Sequence, residues 1–270
     1  MLAVFFRTIK DKYLSLLVYI TATVVFLEMY VALFPTFGNL AQDKISTLLD
    51  SYPKEIWTVI GLDPSMLNFT KIEVFVSSEQ YSFIWPIIVI IFAISLANWM
   101  IAAEVEKGTI EQVISLPVSR LGLFLGRYLA GATMLAVFTF TTIYSLVPLA
   151  AIHKISLAGV DSLPLAVSGF CFALAVYSFA VFSSSLFSEK SKASFLSAGV
   201  ILLSYIGNII GGLNKDFLNL KYFSVFHYFG GGANLVKAEY VDNYLVFYLG
   251  IALVFTLFSA IRFVRRDLSV

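Results

Sequence analysis

Residues 83–103 read FIWPIIVIIFAISLANWMIAA, a run of 21 residues that contains no aspartate, glutamate, lysine or arginine. The hydrocarbon core of a bilayer is about 30 Å thick, and an α-helix of about 20 apolar residues crosses it. Directly after this run comes EVEKGTIEQVISLPVSR, residues 104–120, which is dense in charge. An apolar run of this length that ends in charged residues predicts a helix that spans a membrane and ends at its surface.

The composition extends this interpretation to the whole chain. Of 270 residues, 59% are hydrophobic and 13% are charged, and the mean hydropathy is +0.89. Soluble domains average about half apolar and a quarter charged residues. The chain is therefore predicted to be an all-α integral membrane protein with a single transmembrane domain over residues 1–270. A net charge of +1 gives no overall attraction to nucleic acid, and a single cysteine, Cys171, excludes an intrachain disulfide.

Six apolar runs are long enough to cross the bilayer as helices. They cover roughly residues 14–34, 83–103, 121–150, 165–187, 193–213 and 244–263. The strands of a membrane barrel would be about 10 residues long with strict alternation, a pattern these runs do not show. The backbone must satisfy its own hydrogen bonds in lipid, so an all-helical bundle is expected. The first run lacks a small-residue cleavage site after it and is predicted to be a retained span.

The basic residues predict how the bundle is oriented. Six spans place both termini on one side of the membrane, and the cytoplasmic side is the one richer in Lys and Arg. If the termini are cytoplasmic, that side carries 11 of the 18 basic residues, although its loops are shorter. Arg265 and Arg266 also close the last span. We therefore predict cytoplasmic N- and C-termini in a multi-pass protein of the cell (cytoplasmic or inner) membrane.

Two longer segments are predicted on the outer side. The outer loop 35–82 carries apolar residues at helical spacing between Leu40 and Tyr52, which predicts a short amphipathic helix at the interface. Residues 222–229 are rich in aromatic side chains and precede three glycines, 230–232. Aromatic rings favour the headgroup level and glycine permits a sharp bend. The segment 213–243 is therefore predicted to be partly re-entrant.

The charged segment after the second span predicts a short helix of its own, residues 109–117. Gly108 can end the second span as the residue after its C-cap. Thr109 fits an N-cap with Gln112 three residues later, which is the capping-box pattern, and Pro117 ends the new helix.

This short helix is amphipathic. Ile110, Val113 and Ile114 share one face at i, i+3, i+4 spacing, whereas Glu111 faces elsewhere. A helix of about two turns is not stable alone in water and has to pack against something.

The charges of segment 104–120 indicate whether the short helix packs against lipid or against protein. The helix could rest on lipid headgroups, but Glu104, Glu106 and Glu111 would be repelled by an anionic leaflet. These acids suit a protein partner, or an ion-pair cluster with Arg120 and Arg127, better than they suit the bilayer surface.

The same segment closely resembles the coupling-helix region of ABC-2-type permeases, the membrane subunits of a group of ABC transporters. That family shows an acid, an E-x-G-T-[IL]-E core and then a proline-containing stretch that ends in arginine. The matching residues, in order and spacing, are Glu104, Glu106, Gly108, Thr109, Ile110, Glu111, Ser115, Pro117, Ser119 and Arg120. The aromatic residues 226–229 and the ending 265–268 are weaker similarities. Val225 departs from the family, in which many members carry proline.

The resemblance implies a permease subunit of an ATP-driven ABC transporter, expected to be an exporter. Such subunits pair with a second permease copy or a paralogue, as a homo- or heterodimer, and each docks one ABC ATPase (nucleotide-binding) subunit. The chain has no G-x-x-x-x-G-K-[ST] loop, so ATP and Mg are expected in that partner, and the chain itself is expected to be no enzyme and to hold no cofactor. The cargo stays open among lipids, peptides, drugs and other amphipathic molecules.

The resemblance also indicates which residues contact the ATPase. The expected docking residues are Glu104, Glu106, Gly108, Thr109, Ile110, Glu111, Val113, Ile114, Pro117 and Arg120.

Three polar residues within the spans are candidates for the cargo pathway: Glu28, Asn98 and Asn208. An acid inside a membrane is a functional hypothesis by default, although Glu28 lies near the outer end of its span and could reach the surface. The two asparagines could instead form hydrogen bonds between helices. His153 and His227 are far apart in the sequence and predict no metal site.

Two other classes of membrane protein remain open on the residues alone. A stand-alone secondary transporter or channel would be expected to show more intramembrane charge, helix breaks at matching positions in two halves, or an internal repeat. A non-transporting membrane scaffold subunit would not need the charged segment 104–120.

Overall fold

The structure, a computed structural model, describes the backbone of residues 1–51, 71–106, 119–157, 160–213 and 215–265. Within these ranges the regular structure is entirely helical. Six of the helical stretches are long and apolar enough to cross a membrane, and they are Leu2–Thr36, Ile72–Met100, Arg120–Ile152, Leu163–Leu186, Lys190–Leu213 and Tyr244–Arg265. The predicted all-α membrane fold with six spans is therefore confirmed.

The helices are numbered here in chain order. They are α1 (Leu2–Ser51), α2 (Ile72–Val76), a π-helix (Ser77–Ile84), α3 (Trp85–Met100), α4 (Ala102–Glu106), α5 (Arg120–Tyr144), α6 (Leu146–Ile152), α7 (Leu163–Leu186), α8 (Lys190–Leu213), a 3₁₀ turn (Lys215–Phe217), α9 (Leu218–Tyr222), α10 (Val225–Phe229), α11 (Ala233–Lys237) and α12 (Tyr244–Arg265).

The first two spans extend further into the predicted outer loop 35–82 than the apolar runs indicate. Helix α1 continues through Pro35 to Ser51, and the second span begins at Ile72, where α2 leads through the π-helix into α3. The π-helix carries Ser77, Ser78 and Gln80, all of them buried. The low hydropathy of these residues predicted that they belong to a loop, whereas the structure buries them against neighbouring helices.

The third span consists of two helical segments, which meet near its outer end. Helix α5 stops at Tyr144, and α6 begins at Leu146. Pro148 lies four residues after Tyr144 and has no N–H to donate to its carbonyl, so the helical hydrogen bonding is interrupted there. Helix α6, which His153 follows directly, lies in contact with α1.

Helix α7 lies at the centre of the bundle. It packs against α3, α5, α8 and α12, and its side chains are buried on nearly every side. Small residues fill much of it, including five buried serines, four of which donate a hydrogen bond to a backbone carbonyl of the same helix. Small side chains allow helices in lipid to approach closely, which explains how one helix accommodates four neighbours.

The segment between the fifth and sixth spans folds back onto the bundle. Gly230 and Gly231 adopt positive φ angles of 69° and 54°, a conformation that glycine reaches without steric cost. The bend brings Phe229 onto the ring of Trp85, at a centroid distance of 5.6 Å. Beyond the bend, the side-chain amide of Asn234 donates to Ser168 Oγ at 2.9 Å. The sharp turn that the glycines predict is therefore present and is fixed by buried contacts.

Candidate functional site

The candidate docking site lies at one end of the bundle, called here the inner end and defined by Lys12, Met100, Arg120, Lys190 and Val264. This is the end that the sequence predicts to be cytoplasmic. Most of the expected docking residues lie between 107 and 118, outside the described residues. They are Gly108, Thr109, Ile110, Glu111, Val113, Ile114 and Pro117. The structure does describe the two flanks from which this segment emerges.

The first flank is the end of the second span, which breaks before the charged segment. Ile101 has φ −132° and ψ −66°, so α3 ends at Met100 and the short helix α4 follows. The Met100 carbonyl accepts a hydrogen bond from Arg127 Nη1 at 2.7 Å, and the Ala102 N–H donates to Ser184 Oγ at 3.0 Å. Side chains of the third and fourth spans thus bind the backbone groups that the break releases.

The far end of α4 is tied to the fifth span. Glu106 Oε2 accepts a hydrogen bond of 2.9 Å from the backbone N–H of Lys190, the first residue of α8. A carboxylate at this position also interacts favourably with the positive end of the helix dipole. Glu106 therefore joins the docking segment to the fifth span. Glu104, the other expected acid of α4, is described here only in its backbone.

The second flank is the start of the third span. The Ser119 side chain accepts from the Gly122 N–H at 3.1 Å and caps α5, as its residue type favours. Arg120 Nη1 donates to the Val264 carbonyl near the end of the sixth span at 3.2 Å. The described flanks of the docking segment are thus in contact with the third, fourth, fifth and sixth spans.

Three arginines at the inner end share one kind of contact. Arg127 binds the last carbonyl of α3, Arg120 binds a last-turn carbonyl of α12, and Arg262 Nε donates to the Ser185 carbonyl of α7 at 3.0 Å. The last carbonyls of a helix lack helical partners and form the negative end of its dipole. Guanidinium groups therefore cap the C-terminal ends of the second, fourth and sixth spans.

Two of the pathway candidates contact other spans. Asn98, only 1% exposed, donates from Nδ2 to Ser194 Oγ at 2.6 Å and joins the second span to the fifth. Glu28 Oε1 lies 2.6 Å from His153 Nε2, across 125 residues of sequence. Asn208 Oδ1 is buried and has no hydrogen-bond partner among the described residues. The structure thus places the three candidates at separate points and does not bring them into one site.

Several of the side chains that bind these residues are not marked by any sequence pattern. Ser194 and His153 each contact a candidate residue, and Ser184 binds the backbone of Ala102, but a serine or histidine in an apolar run has many equivalent uses. Only the contact of His153 with Glu28 could have been predicted, because both residues lie at the outer ends of their spans. No group of three or more His, Cys, Asp or Glu that could hold a metal ion occurs among the described residues.

An apolar groove lies between the second and fifth spans. Its volume is about 340 Å³, within the range of small-molecule sites. The lining residues are Ser82, Phe83, Pro86, Ile87, Ile90, Ile91, Ala198, Ile201, Leu202, Tyr205 and Phe226. None of them is charged, and Ile87, Ile91 and Leu202 are more than half exposed. The groove therefore opens on a surface that lipid would cover and is suited to hydrocarbon.

Comparison with known families gives one match over nearly the whole chain. A family model described as "ABC-2 family transporter protein" matches residues 5–268. This range includes all six spans, the break after Met100 and the charged segment 104–120. No curated protein and no solved structure matches the chain.

Proposed function

Because the chain belongs to the ABC-2 family of transporter proteins, we propose that it is the permease subunit of an ATP-driven exporter in the cell (cytoplasmic or inner) membrane. A separate ABC ATPase subunit docks on residues 104–120 and supplies ATP and Mg. Two permease subunits, identical or paralogous, pair to form the complete transmembrane part.

The observation that supports this proposal is the convergence of spans on the two flanks of the docking segment. Glu106 is bonded to the start of the fifth span, and Arg120 is bonded to the end of the sixth. The segment itself connects the second span to the third. With the bond from Ala102 to Ser184 of the fourth span, a force applied to residues 107–118 would reach five of the six spans through covalent or hydrogen-bonded links, as a coupling element requires.

In the proposed mechanism, nucleotide binding draws two ATPase subunits together and moves the short helix of each permease. Ile110, Val113 and Ile114 form the buried contacts with the ATPase, and Glu111 with Glu104 sets the orientation. Gly108, Thr109 and Pro117 define the bounds of the helix. The equilibrium between two arrangements of the spans then depends on a ligand bound at a distance, which is the thermodynamic meaning of coupling.

Glu106 and Arg120 take a different part in this mechanism. Both were expected to contact the ATPase, but each has a hydrogen bond to another span within the chain. We assign them to the transmission of movement from the docking segment into the bundle.

The groove between the second and fifth spans supports an amphipathic cargo, such as a lipid, a peptide or a drug. It has no charged lining residue, so a hydrocarbon portion fits it and an ionised group does not. A stand-alone secondary transporter or channel is the second candidate, and the outer pair of Glu28 with His153 is the observation that favours it.

Co-purification from the native host in mild detergent tests the proposal, with mass spectrometry of the bound proteins and an ATPase assay. Ile114→Glu places a charge on the apolar face and should release the ATPase subunit. Gln112→Glu, which adds the same charge on another face, is the matched control and should retain it. Glu111→Arg should detach or uncouple the ATPase without loss of membrane insertion. Absence of any ATPase from the wild-type preparation, or its normal retention by Ile114→Glu, would contradict the proposal.

A further inference from the structure

The joint between α3 and α4 has two backbone groups that are bound by side chains of other spans. The break at Ile101 removes the Met100 carbonyl and the Ala102 N–H from continuous helical hydrogen bonding. Arg127 of the third span binds the first group, and Ser184 of the fourth span binds the second. The angle between α3 and α4 therefore depends on these two side chains.

Arg127 is an unusual residue for this position. It lies two turns inside a membrane span and is only 6% exposed. A buried charge in a membrane segment is costly and is a functional hypothesis by default. The guanidinium group offers five N–H donors in a fixed plane, so it can hold the Met100 carbonyl and bind other groups at the same time.

Trp99 extends the contact to the first span. The guanidinium carbon of Arg127 lies 5.4 Å from the centre of the Trp99 ring, and Lys12 Nζ of α1 lies 4.6 Å from it. Both distances fall in the range of attractive cation–π contacts. The last turn of α3 is thus held between a cation of the third span and a cation of the first.

Helix α4 connects this joint to the docking segment. It has only five residues, Ala102–Glu106, and it is bonded at Ala102 to the fourth span and at Glu106 to the fifth. A displacement of residues 107–118 must pass through α4 before it reaches the second span. Either α3 moves together with α4, or the joint between them bends. Which of the two occurs depends on the strength of the hydrogen bond to the Met100 carbonyl.

We propose that Arg127 is the positioning residue that makes the joint between α3 and α4 transmit movement, so that displacement of the docking segment is passed to the second span. This inference rests on the proposed function and adds to it the residue that carries coupling across the joint. Without the bond from Arg127, the Met100 carbonyl loses a partner and the joint absorbs the displacement by bending. ATP is then still hydrolysed, but α3 does not respond.

The test uses the permease with its ATPase subunit, reconstituted in vesicles of phosphatidylethanolamine and phosphatidylglycerol. A fluorophore on Ser95→Cys reports on the second span, since Ser95 is an exposed residue of α3 that does not line the groove. Cys171→Ser removes the natural thiol of the chain. The readouts are ATP hydrolysis and the fluorescence change on addition of a non-hydrolysable ATP analogue. Arg262→Ala is the matched control, because Arg262 also binds a helix-end carbonyl but not at this joint.

Arg127→Ala should reduce the nucleotide-dependent fluorescence change by about tenfold, within the usual range of coupling effects. ATP hydrolysis and retention of the ATPase subunit should persist in this variant. Arg262→Ala should respond like the wild type. Arg127→Lys keeps the charge but loses the planar fork of donors, so it should recover part of the response.

The possible outcomes separate the two proposals. If the wild-type permease retains no ATPase, the proposed function fails and this inference fails with it. If the wild type responds to nucleotide and Arg127→Ala responds equally, the inference is overturned while the proposed function stands. If Arg127→Ala does not fold, Arg127→Lys and Ser184→Ala decide, and a full response from both would overturn the inference.

Discussion

Oε1 of Glu28 and Nε2 of His153 lie 2.6 Å apart and join the first span to the end of the third. Glu28, an acid inside an apolar run, thus has a partner at the outer end of the bundle. The second carboxylate oxygen is buried and has no hydrogen-bond partner among the described residues. The contact lies where the short helix α6, at the end of the third span, packs against α1.

A double-mutant cycle with Glu28→Ala and His153→Ala should give a coupling free energy of about 0.2–1 kcal/mol in favour of the pair. The side chains are 39% and 27% exposed, so solvent screens part of their attraction. The measurement is the free energy of unfolding of the four proteins in mixed micelles. Strictly additive effects of the two substitutions would show that the pair does not stabilise the fold.

Ser194→Ala should destabilise the bundle more than Asn98→Leu does. The serine substitution leaves the buried Asn98 amide without its partner, which costs about 1–3 kcal/mol. Asn98→Leu removes the whole amide, including an Oδ1 that has no partner among the described atoms, and so leaves only a serine hydroxyl to satisfy. The check is the free energy of unfolding of each variant. The reverse order would indicate that the bond of 2.6 Å contributes little.

Gly232→Ala should destabilise the outer segment by about 1–3 kcal/mol, as overpacking does. A Cβ at Gly232 would lie 2.3 Å from both Cβ and the carbonyl oxygen of Ser77, which belongs to the π-helix. Gly250→Ala is the control, because a Cβ there meets nothing within 4 Å. Melting temperatures in detergent should fall for the first variant only. Equal melting temperatures would mean that the outer segment does not pack on the π-helix as described.

Acid should destabilise the outer segment through His227. Burial and the nearby Lys221 lower the pKa of His227 in the folded protein. The unfolded chain therefore binds a proton first, and stability falls as the pH decreases below the unfolded value of about 6.5. The melting temperature of the wild type should drop more between pH 7.5 and 5.5 than that of His227→Asn. His153 is present in both proteins, so the difference isolates His227, and equal drops would contradict the assignment.

Long-range composition predicts the spans well, because about 20 apolar residues in a row have few alternatives to a membrane helix. The run 83–103 alone identifies the second span. The same method misses the beginning of that span, since Ser77, Ser78 and Gln80 look like loop residues until their burial is known. Hydropathy describes the polarity of each side chain and contains no information about the neighbouring groups that bind it in the folded protein.

The contacts of the inner end depend on geometry that the sequence does not display. The charged segment 104–120 and the cap at Ser119 are recognisable from residue types and spacing. The bond from Arg127 to Met100 requires a break at Ile101 and a particular packing of two helices, and nothing local in the sequence marks either. Glu106 was predicted to contact a partner protein, whereas its described hydrogen bond is to the start of the fifth span.

The helix-closing arginines have a consequence for the synthesis of the protein. Positive charges beside a span help to decide its direction of insertion while the chain is being made, long before Arg120 and Arg262 meet their carbonyl partners. Each residue thus acts first as a topological signal and later as a helix cap. Lysine would preserve the first role and weaken the second, so arginine-to-lysine variants should insert in the wild-type orientation and assemble, with a lower free energy of unfolding.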